Sequence, residues 1–314
     1  MPPQFRVTRM FHPSHHVTDL DAAEAWFAEV FARPSTPLSS LTQGAPSSSG
    51  YPSDYSTFTL IGDVLFDSID PQRYVLEGIQ RYASVDRPHL KGIGWYVEGM
   101  SALYEALRAA GIAVIDQFDE VAEGERPPTA AGSKMPLFFT SPRDTGLRYE
   151  LFPAIDFPLD PRPTDPGWIP PPLDGDPLGI ERCSHHTVLT DRPDRALRFA
   201  VDVMGGSVVH EGRDEVAGAH STYVALADSI IEYAVPDPRT HAEADLADQA
   251  PGDTYHSITF EVRDLDAVHE HLTSRGVEVR TRTDDTIVTE PESSLGVPWG
   301  FTTATVPTGC RRPT

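Results

Sequence analysis

The chain repeats itself, and this repeat restricts its fold more than any other feature does. The segment STFTLIGDVLFDSIDP at 56–71 aligns without gaps to STYVALADSIIEYAVP at 221–236, with four identical positions and an offset of 165. The same offset superposes residues 92–114 on residues 257–279. Self-similarity at a fixed spacing is typical of copied structural units, so we expect the two halves of the chain to share one structure.

A smaller unit recurs within each half. The residues GIGWYV alternate between small or polar and apolar side chains, as a strand does, and the next residues keep helical spacing as far as Gly111. A glycine at that point predicts the end of a helix. The segment TDLDAAEAWFAEVFA predicts another helix, with Asp19 or Thr18 as its N-cap. The resulting order is a strand, a helix and several strands, four times over.

Prolines divide the chain. Residues 154–178 hold eight prolines in 25 positions and show neither hydrophobic period, which predicts an extended, semi-rigid linker. We therefore expect an N-terminal domain at 1–153 and a C-terminal domain at 179–314, each of ordinary size. Residues 33–54 are a long polar stretch and predict a loop within the first domain.

Charge and composition exclude several classes of protein. Forty-seven acids against 25 bases give a net charge of −22, which disfavours a nucleic-acid or anionic-membrane partner. No apolar run approaches the roughly 18 residues of a membrane span, and the N-terminus lacks the apolar region of a signal peptide. Cys183 and Cys310 are the two cysteines, so a disulfide framework is excluded. A cytoplasmic protein that binds a small molecule is expected.

Several segments resemble the vicinal oxygen chelate superfamily of glyoxalases, bleomycin-resistance proteins and extradiol ring-cleaving dioxygenases. They are HVTDLDAAEAWFAEVFA, GIGWYVEGMSALYEALRAAGI, FTSPRDTGLRYELF, TDRPDRALRFAVDVMGG and ITFEVRDLDAVHEHLTSRGVEV. The resemblance implies an α+β fold of four βαβββ modules, paired into two open, curled mixed-sheet domains. The modules would span 5–71, 88–153, 180–236 and 255–303.

The resemblance also implies a metal site in a cleft, with ligands from the first and last strands of each module. The positions of this sequence that match those slots and carry ligating side chains are His12, Asp67, Glu150, His185 and Glu232. Three other slots hold Gly92, Ser257 and Gly300, and the nearby His89 and His256 are reserve ligands. His16 shares a strand face with His12, which makes it a candidate acid or base beside Glu150.

The pairing of the modules decides which of these residues meet. Modules one and two would bring together His12, Asp67 and Glu150. Modules three and four would bring together His185 and Glu232, whereas a swapped pairing of modules two and three would add Glu150 to that pair. The sequence leaves all three arrangements open.

Imidazole and carboxylate ligands suit Fe(II), Mn(II), Zn(II) or Ni(II), and the resemblance favours Fe(II) or Mn(II). The resemblance implies a divalent-metal-dependent enzyme that acts on a small oxygen-chelating substrate, most of all an extradiol-type dioxygenase. A glyoxalase- or epimerase-like lyase or isomerase and a metal-free resistance-type binding protein are the alternatives. A homodimer is expected by analogy. For Glu150, an ion pair with Arg148 or Arg143 or simple exposure is the structural alternative.

Overall fold

A computed structural model describes most of the chain, namely residues 4–41, 52–131, 133–155, 157, 159–160, 162–163, 165, 168, 173–248 and 252–304. Parts of the predicted loop 33–54 and of the predicted linker 154–178, as well as Cys310, lie outside the described residues. Within the described ranges, every helix is too short or too polar to cross a bilayer.

The N-terminal half forms one mixed sheet of eight strands and a separate two-stranded ribbon, β5–β6. Its helices are α1 (Leu20–Val30), α2 (Leu38–Leu41), α3 (Met100–Ala109) and α4 (Pro142–Thr145). Its strands are β1 (Arg6–His16), β2 (Ser35–Pro37), β3 (Ser56–Ile61), β4 (Val64–Ile69), β5 (Val75–Leu76), β6 (Ile79–Gln80), β7 (His89–Glu98), β8 (Val114–Ile115), β9 (Phe138–Thr140) and β10 (Glu150–Pro153). The order in the sheet is β2-β3-β4-β1-β7-β10-β9-β8.

The C-terminal half repeats this sheet. Its strands are β11 (Ile180–Leu189), β12 (Ser207–Asp214), β13 (Ala219–Leu226), β14 (Ser229–Pro236), β15 (Thr254–Val262), β16 (Val279–Arg282), β17 (Thr286–Thr289) and β18 (Trp299–Thr302). Its helices are α5 (Pro193–Leu197), a π-helical turn (Arg198–Val203), α6 (His241–Asp248), α7 (Leu265–Ser274) and a 3₁₀ turn (Pro291–Ser293). The order in the sheet is β12-β13-β14-β11-β15-β18-β17-β16.

The predicted α+β fold of four βαβββ modules is confirmed, and the pairing of the modules is settled. The first strands of modules one and two, β1 and β7, run antiparallel at the centre of one sheet. The first strands of modules three and four, β11 and β15, do the same in the other. The swapped pairing of modules two and three is therefore wrong, because their strands lie in different sheets. The domain boundaries at 153 and 179 stay predictions.

The local signals in the sequence explain where the helices begin and end. Asp19 is the N-cap of α1, and its side chain accepts a hydrogen bond from the backbone N–H of Ala22 at 3.1 Å. Gly111 follows the last turn of α3 with a φ of +72°, a left-handed conformation that favours glycine. Both predictions are confirmed.

The aligned segments 56–71 and 221–236 form equivalent hairpins, β3–β4 and β13–β14. In the first hairpin Phe58 lies opposite Asp67, and in the second Tyr223 lies opposite Glu232. The repeat alignment therefore places Asp67 and Glu232 at matching positions of the two sheets.

The two halves share one apolar core and a pair of reciprocal hydrogen bonds. The core cluster contains residues of both sheets. Phe31, which follows helix α1, packs against Trp299 of the other half, with ring centroids 5.0 Å apart. At the turn of hairpin β13–β14, Asp228 accepts a hydrogen bond from the backbone N–H of Met10 at 2.8 Å. At the turn of hairpin β3–β4, Asp63 accepts one from the N–H of Cys183 at 2.6 Å. We call these two bonds the aspartate clasp.

Candidate functional site

His12 is presented by a bulge in β1. The register of β1 against β7 shifts between Met10 and Pro13, and bulges of this kind re-aim side chains next to functional sites. The opposite strand makes room for the imidazole, because a Cβ at Gly94 would lie 3.3 Å from His12 Nε2. The Ser14 hydroxyl lies 3.3 Å from His12 Nδ1 on the other side of the ring. The ring is therefore fixed between strands with Nε2 directed across the sheet.

The carboxyl of Glu150 lies close to His12 Nε2. Glu150 is the first residue of β10, lies opposite Gly94 in the ladder, and places Oε2 at 3.6 Å from His12 Nε2. Neither of the arginines considered as structural partners pairs with it within ion-pair distance, because Arg148 contacts Asp119 and Arg143 contacts Asp144. The carboxyl of Glu150 thus faces an imidazole.

Asp67 is the third predicted residue of this group and lies on β4. Its side chain is buried and accepts a hydrogen bond from the hydroxyl of Ser56 across the hairpin. Ser56 could not be predicted from the sequence, because its contact with Asp67 depends on the register of β3 against β4.

Burial determines the protonation of all three groups. Burial raises the pKa of Asp67 to about 8, opposed by the hydrogen bond from Ser56. Burial also raises the pKa of Glu150 to about 7, opposed by the positive charge of Arg148. Burial lowers the pKa of His12 to about 3, so its imidazole is neutral at physiological pH. At pH 7 the group therefore contains a neutral imidazole, a largely protonated Asp67 and a Glu150 carboxyl that populates both of its forms.

A cavity of about 1070 Å³ opens on this group. His12, His16, Asp67 and Glu150 all line it. Apolar and aromatic side chains supply much of the remaining wall, including Phe11, Tyr55, Phe58, Tyr74, Tyr82, Phe139 and Phe152. A concave, largely apolar space with a few converging polar groups is the usual form of a small-molecule site.

The C-terminal half holds a second His–carboxyl pair, in which Glu232 stands at the repeat position of Asp67. His185 Nε2 lies 3.5 Å from Glu232 Oε2. Glu232 is fully buried, and its two oxygens accept hydrogen bonds from Thr187 at 2.6 Å and from Tyr223 at 2.9 Å. Neither His185 nor Glu232 lines the large cavity. The two carboxylates at matching positions therefore have different surroundings.

Comparison with known proteins agrees with this architecture. A family model described as a glyoxalase-like domain matches residues 184–309. The structure of the 2,3-dioxygenase LapB from Pseudomonas sp. KL28 superposes with a TM-score of 0.58 and 12% sequence identity, covering 95% of this chain and 93% of that one. The protein has the two-domain vicinal oxygen chelate (VOC) fold.

Two further VOC-type matches span both domains. The Mn(II)-bound glyoxalase from Novosphingobium aromaticivorans gives a TM-score of 0.56 at 15% identity, covering 95% of this chain and 82% of that one. A mutant of 4-hydroxymandelate synthase from Streptomyces coelicolor gives 0.59 at 15% identity, covering 94% and 92%. A search of curated protein sequences found no match. At these identities the structural matches establish the fold.

The glycines in the VOC ligand slots have steric causes. A Cβ at Gly92 would lie 2.6 Å from the backbone oxygen of Arg148, so the close approach of the chain before β10 leaves no room for a side chain there. A Cβ at Gly300 would lie 2.2 Å from the hydroxyl oxygen of Thr259. In the C-terminal sheet, Thr259 thus occupies space that Gly94 leaves open beside Glu150 in the first sheet.

The reserve ligands lie apart from the His–carboxyl pairs. His89 is the first residue of β7 and faces His16 across the ladder, with ring centroids 5.6 Å apart. His256 pairs with Asp245 of α6 at 2.9 Å. His89 therefore contacts His16, and His256 contacts Asp245, rather than the predicted metal ligands.

The described residues do not supply a three-ligand metal centre. Across these ranges, no three His, Cys, Asp or Glu side chains converge closely enough to hold a metal ion. At the predicted ligand positions each half brings together one His and one carboxyl, and in the first half Asp67 is engaged by Ser56. At these positions the described residues do not form a complete three-ligand set, and metal binding by His12, Asp67, Glu150, His185 and Glu232 stays a prediction.

Lys91 and Arg148 also line the cavity, and sequence reasoning missed them. Lys91 lies at a shift in the register of β1 against β7, between Leu90 and Gly92, so strand alternation in the sequence does not place it in the cavity. Arg148 stands just before the strand that carries Glu150, and it entered the sequence analysis only as a possible partner of that residue.

Proposed function

We propose that this VOC protein is an enzyme of the lyase or isomerase class that moves a proton on a small oxygen-bearing organic substrate. The substrate would bind in the N-terminal cavity. The observation that carries the proposal is the Glu150 carboxyl, which opens on this cavity and faces a neutral His12 at 3.6 Å.

Glu150 has the properties of a general acid–base group at neutral pH. Since burial raises the pKa of Glu150 to about 7, both of its forms are populated there, and it can accept a proton from a substrate and return it. His12 is neutral and can orient the Glu150 carboxyl. Asp67, whose pKa burial raises to about 8, stays largely protonated and adds little repulsion to an ionised Glu150.

His16 keeps its predicted role as a second proton carrier within this proposal. It lines the same cavity as His12 and Glu150, on the same face of β1 as His12. Burial holds the pKa of His16 well below its usual value, so it enters the cavity as a neutral base.

Hydrogen exchange at carbon tests the proposal without knowledge of the net reaction. Wild-type protein is incubated in D₂O with a panel of hydroxyketones and 2-oxo acids, and loss of the carbon-bound proton next to the carbonyl is followed by ¹H NMR. We expect exchange with wild type and a rate lower by about 10²- to 10⁴-fold with Glu150→Gln. The control is Glu232→Gln, at the carboxylate that faces His185 outside the cavity lining, and it should leave the rate unchanged.

Two outcomes would contradict the proposal. One is the absence of exchange across the panel, and the other is equal exchange by wild type and Glu150→Gln. Ligand binding without any turnover would instead favour the metal-free binding protein.

An extradiol-type dioxygenase is the second candidate, because the fold matches LapB over nearly the full length of both chains. Protein incubated with Fe(II) or Mn(II) should then consume O₂ with a catechol panel. Its metal content should approach one per chain and fall in His12→Ala if the N-terminal cleft is active, or in His185→Ala if the other cleft is. No oxygen uptake and no retained metal would remove this candidate.

A further inference from the structure

One end of the N-terminal cavity is lined by basic groups, although the chain as a whole carries a net charge of −22. We define His16, His89, Lys91 and Arg148 as the basic cluster. His16 and His89 lie opposite each other in the β1–β7 ladder, and Lys91, two residues further along β7 at a shift in the register, lines the same cavity. Arg148 precedes β10 and packs its guanidinium over the ring of Phe139, 3.6 Å from the centroid.

The basic cluster has little countercharge of its own. Arg148 donates to Asp119 at 3.0 Å, and the Asp119 side chain is itself 58% exposed. Among the described residues, the side chain of Lys91 makes no hydrogen bond or ion pair. Burial lowers the pKa of Lys91, and the nearby charge of Arg148 lowers it further. The positive charge of the cluster resides on Lys91 and Arg148 rather than on His16, which burial keeps neutral, and an anion bound in the cavity would offset that charge.

We propose that the basic cluster binds an anionic group of the substrate, a carboxylate or a phosphate. The apolar body of the substrate would then lie along the aromatic wall and reach the His12–Glu150 pair. This inference deepens the proposed function and rests on it. A planar guanidinium and an ammonium are the protein groups best suited to carboxylate and phosphate oxygens.

The cavity is large enough for both contacts at once. Its volume of about 1070 Å³ slightly exceeds that of most small-molecule sites, and it is lined by the basic cluster, the aromatic side chains and Glu150 together. Tyr82 belongs to the aromatic wall and contacts the basic cluster, because its ring lies 5.4 Å from that of His16 and beneath the guanidinium of Arg148. A substrate with an aromatic body and one anionic end matches this lining.

Binding of simple probes tests the inference independently of any reaction. Isothermal titration calorimetry would compare benzoate and phenyl phosphate with the neutral benzyl alcohol. We expect at least one anion to bind wild type about tenfold or more tightly than benzyl alcohol. The stronger of the two identifies carboxylate or phosphate as the preferred group.

Two variants locate the binding. Lys91→Gln should weaken anion binding about tenfold and leave benzyl alcohol binding unchanged, whereas Lys134→Gln, an exposed lysine outside the cavity lining, should have no effect. Arg148→Gln should act in the same direction as Lys91→Gln, with Arg126→Gln as its control. Because Arg148 also packs against Phe139, Lys91→Gln is the variant that keeps the test valid if Arg148→Gln fails to fold.

The inference is overturned if neither anion binds more tightly than benzyl alcohol, or if Lys91→Gln binds the anions as wild type does. The titration is repeated in Glu150→Gln to separate this inference from the proposed function. Retained anion preference together with lost hydrogen exchange supports both. Unchanged hydrogen exchange in Glu150→Gln refutes the proposed function, while the anion preference of wild type still reports on the basic cluster.

Discussion

Asp67 shows how a single buried carboxyl can make stability depend on pH. Its ordinary pKa is 3.8, and burial raises it to about 8 in the folded protein. Between these values the folded state holds a proton that the unfolded chain has released. The contribution of Asp67 to the free energy of unfolding is therefore fully present below pH 3.8 and is lost as the pH rises toward 8.

Asp67→Asn should remove this pH dependence. The carboxamide does not ionise, so the melting temperature of the variant, relative to wild type, should rise by several degrees between pH 5 and pH 8.5. Differential scanning fluorimetry at several pH values measures this difference. Glu125→Gln, at an exposed acid, is the control and should show a constant difference. A constant difference for Asp67→Asn as well would contradict the assigned protonation.

The family resemblance pointed to His12, Asp67 and Glu150 because its ligand slots are defined by position along the first and last strands of each module. It could not explain Gly92, since the carbonyl of Arg148 that excludes a side chain there belongs to a distant segment. For the same reason it could not tell that Thr187 and Tyr223 would occupy both oxygens of Glu232. Such contacts arise only when strands far apart in sequence are brought together.

At the scale of elements, the bulges of β1 and β11 are matched by the aspartate clasp. A bulge removes a backbone N–H from the ladder, and an unpaired buried N–H is costly. Asp228 accepts from Met10 beside the bulge that presents His12, and Asp63 accepts from Cys183 beside the bulge that presents His185. Each hairpin turn therefore stabilises the strand that positions the imidazole of the other half.

Replacing the two aspartates separately tests this relation. Asp228→Ala and Asp63→Ala should each lower the free energy of unfolding by about 1–3 kcal/mol, as measured by urea denaturation, because each leaves an N–H without its partner. Asp228→Ala should also shift the ring ¹⁵N resonances of His12, whereas Asp63→Ala should shift those of His185. Equal shifts at both histidines in either variant would show that the clasp does not act locally.

At the scale of the molecule, the two halves are not independent. Helix α1 belongs to the first half, yet Phe27 of this helix and Phe31, which follows it, pack against Trp299 of the second half. Across the same interface, the hydroxyl groups of Tyr149 and Tyr233 lie 3.2 Å apart. Most of the apolar core is thus shared between sheets that the sequence assigns to separate domains.

We therefore expect the whole protein to unfold in one transition. In differential scanning calorimetry the calorimetric and van't Hoff enthalpies should agree. Phe31→Ala should lower the free energy of unfolding by about 3–5 kcal/mol and keep a single transition, because the cavity it leaves lies in the shared core. Val121→Ala, at a valine that is 60% exposed, is the control and should change little. Two resolved transitions in wild type would contradict this prediction.

The repeat predicted four modules correctly because hydrophobic periodicity and helix caps are local properties. The repeat could not predict the pairing of the modules or the contact between the halves, since each module presents similar apolar surfaces to several partners. The position of α1 between the sheets depends on shape complementarity around Trp299, which no single segment encodes.

The aspartate clasp has a consequence for the origin of this architecture. Asp63 and Asp228 are equivalent residues of the repeat, as are Cys183 and Met10, so the same bond is made twice in opposite directions. This is the reciprocity of a two-fold symmetric interface between identical subunits. A half-length ancestor could have formed both bonds with a second copy of itself before gene fusion, after which one copy was free to keep an open pocket while the other became its scaffold.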